Sequence, residues 1–188
     1  MTDARCRGLL LGLLGLAIGA AVAVGIRWGP GGPPDASSLA ASQAYVAAVE
    51  PLAREGGRLV ERSLKPAVAR LGTADVEEDV SVTRPQDTAQ AMRALHDRWR
   101  EVDPPEALRE AHALFLSALE RYTTIAERLA ADERDGAAPG LRDELVRLGT
   151  EADEFYDRAA RQVQGHVVGL GGDRIGWLPD PDGRGDGP

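Results

Sequence analysis

Disulfide chemistry is closed to this chain, because Cys6 is the only cysteine among its 188 residues. Any folded domain must therefore be held by packing alone. Thiol catalysis goes with it, since Cys6 precedes a long apolar run and stands apart from the rest of the chain. That position is also wrong for an acylated lipoprotein cysteine, which would follow the run. Asparagine is absent and Lys65 is the only lysine among 22 basic residues, a bias that reads as the codon usage of a GC-rich bacterial genome. Aromatic residues make up 4%, and Val and Ile are outnumbered by Ala, Leu, Arg and Glu, which favours an all-α domain over sheet. Basic excess is missing too: the formal net charge is -8, which would repel phosphate backbones and makes a nucleic-acid partner unexpected. There is no Gly-rich phosphate loop, HExxH, CxxC or GxSxG. No histidine has Glu three residues before it, so a di-iron bundle is not expected either. Neither an enzyme nor a cofactor is expected.

What is present begins with one apolar run. Residues 8–26 (GLLLGLLGLAIGAAVAVGI) carry no charge over 19 positions, close to the ~20 that a helix needs to cross ~30 Å of hydrocarbon. Arg5 and Arg7 precede the run, and Arg27 and Trp28 follow it. The basic excess on the leading side keeps the N-terminus inside. The expected organisation is a cytoplasmic N-terminus (1–7), a single-pass transmembrane signal anchor embedded in the lipid bilayer (8–27), a Gly/Pro linker (28–34), an extracytoplasmic helical bundle (35–170) and a disordered tail (171–188). The alternative is a cleaved signal peptide: residues 9–18 would be its apolar region and Ala21-Val22-Ala23 its small-x-small cleavage site, leaving a secreted domain. Continuation of the run to Ile26, and Trp28 at interface depth, favour retention in the cell membrane. Gly8, Gly12, Gly15 and Gly19 form a possible helix-pairing face, although any Gly/Ala-rich anchor shows such spacing.

Beyond the linker, four helices are expected. The first starts from a cap at Asp35, Ser37 or Ser38 and buries Tyr45, Val49, Leu52, Gly56, Leu59, Ser63, Ala67 and Leu71, with kinks or a break at Pro51 and Pro66. Gly56-Gly57 within it suggests that a neighbouring helix approaches at Gly56. Residues 72–84 read as an acidic loop. Pro85 opens a second helix with a seam of Met92, Leu95, Trp99 and Val102. Asp103 caps the third, which follows Pro104-Pro105 and carries Leu108, Ala111, Phe115, Ala118, Tyr122, Ile125 and Leu129. The fourth, through Leu141, Leu145, Leu148, Ala152, Phe155, Ala159 and Val163, stops near Gly169. Short turns make an up-down four-helix bundle the economical fold. In the tail, the apolar trio Ile175, Trp177 and Leu178 is available to dock on a groove or a partner.

Candidate chemistry is sparse. Asp180, Asp182 and Asp186 spell only a fragment of a calcium loop, and Arg184-Gly185-Asp186 is a chance spelling in a tail of such composition. The best candidate ligand set is His96, His112 and His166. If the second and third helices fold as a hairpin about Pro104, His96 and His112 reach the same height, with His166 one turn away on the fourth. Three imidazoles with an open position suit zinc or copper; hydrogen bonds to carboxylates such as Asp97 or Glu110 are the alternative fate of such residues.

The run WREVDPPEALREAHALFLSALERYTTIAERL (99–129), with residues 45–71, resembles uncharacterised actinobacterial exported helical proteins that bear an N-terminal anchor or lipid signal and the pattern PP-x-x-L-x-x-x-H, here Pro104, Pro105, Leu108 and His112. The resemblance covers about half the chain. It implies an envelope location and transfers no activity and no site residues. The sequence thus points to a membrane-anchored extracytoplasmic bundle that binds or scaffolds, with an envelope protein as possible partner; a small-molecule or metal-binding protein with a site inside the bundle is the alternative.

Overall fold

Helical spacing and proline placement account for most of the architecture. The computed structural model describes residues 36–71, 84–135 and 139–178. The expected anchor, linker and 72–83 loop lie outside the described residues, as do the cap at Asp35 and the aspartates and Arg-Gly-Asp of the distal tail. Among the described residues no helix is long and apolar enough to cross a membrane. The elements are α1 (Ala36–Leu59), a π turn (Val60–Leu64), α2 (Lys65–Arg70), α3 (Pro85–Arg100), a short 3-10 turn (Glu106–Leu108), α4 (Arg109–Asp135) and α5 (Leu141–Gly169). With α1, the π turn and α2 counted as one rod, four antiparallel rods form the bundle. Residues 33–188 make up a compact unit with one contiguous core among the described residues, the anatomy of a single domain.

A π turn follows α1. Its widened bond runs from the Lys65 N–H to the Val60 carbonyl. Pro66 supplies the reason: it has no N–H, and in a regular helix its ring would clash with the carbonyl of Arg62, a conflict that a wider turn relieves. The buried positions run Ser42, Tyr45, Val49, Ala53, Gly56, Val60, Ser63 and Leu64, so the expected seam is corrected by one position at Ala53, before the π turn, and again at Val60. Leu52, Leu59, Ala67 and Leu71 are only half-buried. Pro51 is accommodated inside α1 without ending it.

Pro85 occupies the first position of α3, and the seam of Met92, Leu95 and Trp99 is fully buried, whereas Val102 is half-buried. Asp103 does not cap the next helix. Pro105 sits extended at φ -54° and ψ 149° as the residue before the 3-10 turn, with no side-chain cap, and the α region is disfavoured for Asp103 and Pro104, each of which precedes a proline. Ion pairs on α3, α4 and α5 fix the register: Arg93 with Glu127, Arg121 with Glu151 and Arg128 with Glu144. The predicted seams of α4 and α5 are otherwise buried, apart from Tyr122 and Phe155, which are half-buried.

The tail is ordered farther than expected. Gly171, at φ +83°, ends α5 with paired bonds from its N–H to Val168 and from the Gly172 N–H to Val167, a C-terminal motif that L side chains fit poorly. A Cβ on Gly172 would lie 2.7 Å from Val167 and 3.0 Å from Leu39, so the chain turns tightly back over the end of the bundle. Ile175 donates its N–H to Gln164, and Leu178 is 8% exposed, with Ile175 and Trp177 packed beside it. Burial of these three side chains is what orders residues 171–178.

Candidate functional site

At one end of the bundle α1 holds two of the three histidines. The Ser42 hydroxyl donates to the Ser38 carbonyl at 2.8 Å. Its single proton is thus committed, and the contact of 3.2 Å between His166 Nε2 and Ser42 Oγ has the imidazole as donor. One turn on, the Tyr45 hydroxyl lies 3.1 Å from His112 Nδ1, and His112 also makes a backbone hydrogen bond to Trp99. A carbonyl only accepts, so the proton faces Trp99 and Nδ1 accepts from Tyr45. Burial pulls His112 below the usual histidine range, opposed by the Trp99 carbonyl and Asp103; burial likewise pushes the Tyr45 phenol up. Both are neutral at pH 7.

His96 does not join them. Trp99 stands against His112, ring centroids 5.8 Å apart, and Arg93 against Glu127. Trp99, one turn beyond His96 on α3, is thus the α3 ring that meets His112. Among the described residues no three His, Cys, Asp or Glu side chains are grouped to hold a metal ion. The polar partners of His112 are Tyr45 and Trp99 in place of Asp97 or Glu110; Glu110 instead accepts from Gln162.

A second feature was not anticipated. From Tyr45 and His112 the rings continue through Trp99 to Phe115 (5.1 Å) and Tyr156 (5.2 Å), toward the middle of the bundle. There the first rod and α5 touch only sparsely, while α4 packs closely on α3 and α5. A groove results, floored by α4 and walled by the π turn. It contains two cavities, about 210 and 370 Å³, that share Val60, Tyr122 and Asp153. Trp99, Phe115, Tyr122 and Tyr156 line the smaller one beside Gly56 and Gly57. Aliphatic side chains dominate the larger, among them Leu64, Val68, Ile125 and Val146, the last 53% exposed.

Polar groups in the groove are few. The Tyr122 hydroxyl donates to Asp153, and Lys65 is paired with Glu61. Burial pushes Tyr156 up to about 12, with Asp157 adding to the shift. Tyr122 is raised further, by burial first and then by its bond to Asp153. Both phenols stay protonated. The groove therefore offers aromatic walls, phenol donors and a carboxylate, and none of these groups forms a nucleophile–base pair. Gly57 stands exposed on the lining of the smaller cavity, where a Cβ would meet no atom within 4 Å. The Gly-Gly pair and the α4 tyrosine were visible in the sequence, but nothing in their spacing marked the widened turn that faces them. Compared with known proteins, the chain matches no family model, no curated protein and no solved structure.

Proposed function

We propose that the chain is a non-catalytic binding protein of the bacterial cell envelope. Residues 8–26 tether it to the membrane with its N-terminus inside, and the groove between the first rod and α5 receives a small apolar ligand. The membrane part is supported by the uncharged run and its flanking arginines. The binding part is carried by one observation: two largely apolar cavities meet at a π turn, a helical irregularity that is frequent at functional sites. A bundle that only spaced partners apart would close this seam with Leu and Ala, as the seam between α4 and α5 is closed by Ala118, Ala126, Leu145 and Ala152.

Titration of phenylnaphthylamine, a neutral dye that brightens in apolar surroundings, into purified residues 33–188 tests the groove. Saturable binding is expected, and Gly57→Leu should abolish it by filling the smaller cavity. Undiminished binding by that variant, folded to the same helicity, would overturn the reading. For the anchor, the mature protein should resist alkaline extraction from membranes; a mature chain starting at Val24 would contradict the tether.

A further inference from the structure

We infer that the groove's ligand is a small organic ammonium ion with an apolar body, an inference that rests on the binding role proposed above. Every charged residue that lines the smaller cavity is acidic, Glu61 and Asp153, and none is Lys, Arg or His. Glu61 is already neutralised by Lys65. Asp153 forms no ion pair among the described residues; its partner is the Tyr122 hydroxyl, which occupies only part of a carboxylate's accepting capacity. Asp153 is exposed at the rim, bonded to Tyr122, and the same cavity is lined by Trp99, Phe115 and Tyr156. Aromatic rings attract a cation through the negative potential of their faces, and rings grouped beside a carboxylate are the arrangement that holds alkylammonium groups. Asp157 adds negative potential at Tyr122 and Tyr156. Lys65, held by Glu61, and Arg142 line the adjoining larger cavity, and Lys65 is close enough for Asp153 to act on it; within the smaller cavity itself an anion would meet only like charge.

The geometry assigns each end. Asp153 lies where the two cavities meet, so the ammonium group sits there and the apolar body extends along the aromatic walls. Among the described residues the Trp99 indole N–H is buried without a hydrogen-bond partner, which makes its NMR resonance a reporter placed at the cavity.

Three water-soluble probes of similar size decide the matter: benzyltrimethylammonium, benzyl alcohol and phenylacetate, each titrated into isotope-labelled residues 33–188 while the Trp99 indole signal is followed. The ammonium ion should move that signal and bind at least about five-fold more tightly than benzyl alcohol, phenylacetate weakest of all, with the preference weakening as salt is added. Asp153→Asn should remove the preference, bringing the ammonium ion's affinity down to that of benzyl alcohol for the same variant. Equal binding of alcohol and ammonium, or a preference that survives Asp153→Asn, overturns the ammonium inference while the groove still binds. If no probe moves Trp99 and phenylnaphthylamine does not bind, the groove reading itself fails.

Discussion

Gly56 and Gly57 are adjacent in sequence and opposite in surroundings, which makes them a paired test of the packing. Replacing a helix-interior Gly with Ala gains about 1 kcal/mol from backbone entropy and propensity. At Gly57 a Cβ meets nothing within 4 Å, so Gly57→Ala should realise the full gain. At Gly56 the new Cβ would lie 3.2 Å from Leu95 Cδ2, and Leu95 is fully buried. The leucine must yield by a few tenths of an ångström within a packed core, which costs about 1 kcal/mol and cancels the gain. Gly56→Ala should therefore be close to neutral and Gly56→Leu destabilising by more than ~2 kcal/mol. For a domain of roughly 140 residues, 1 kcal/mol moves the melting temperature by about 3 °C. Thermal melts and urea titrations of the variants of residues 33–188 measure this, with unchanged urea slopes confirming that only stability has moved. If Gly56→Ala stabilises as much as Gly57→Ala, the approach of Leu95 does not constrain α1 and the reasoning fails.

Two further outcomes follow from the same contacts. Because burial lowers His112 from its ordinary 6.5, the unfolded chain binds its proton more readily than the folded one. The stabilisation is then complete above about pH 6.5 and is lost as pH falls from there toward the lowered folded value; His112→Gln, which still accepts from Tyr45, should flatten that part of the melting-temperature profile, and an unchanged profile would show that His112 is not its source. Deleting residues 171–188 exposes the surface under Ile175, Trp177 and Leu178 and should cost about 2 kcal/mol, roughly 6 °C in a thermal melt; no change would mean that the docked segment adds nothing to stability.

The sequence revealed the all-α class, Pro85 as a helix start, the stop near Gly169 and most of the α4 and α5 seams, because these depend on local signals: ring constraints, left-handed glycine and spacings of three and four. It misled where more than one residue fits the spacing or where prolines displace a start. Ala53 is buried in place of Leu52 and Val60 in place of Leu59, since both choices satisfy steps of three and four. Pro104-Pro105 move the helix start past Asp103. The pairing of Tyr45 with His112 joins residues 67 positions apart, and the groove depends on how far the first rod stands from α5. Neither has a signature in a single chain's pattern of polar and apolar residues, since both arise from packing between rods.

Whether the groove holds a ligand is decided by a crystal structure of residues 33–188 grown with phenylnaphthylamine. The dye should lie between Trp99, Phe115, Tyr122 and Tyr156, beside Gly57. Dye bound elsewhere on the bundle, with the first rod closed onto α5 over an empty and collapsed groove, would contradict the binding role.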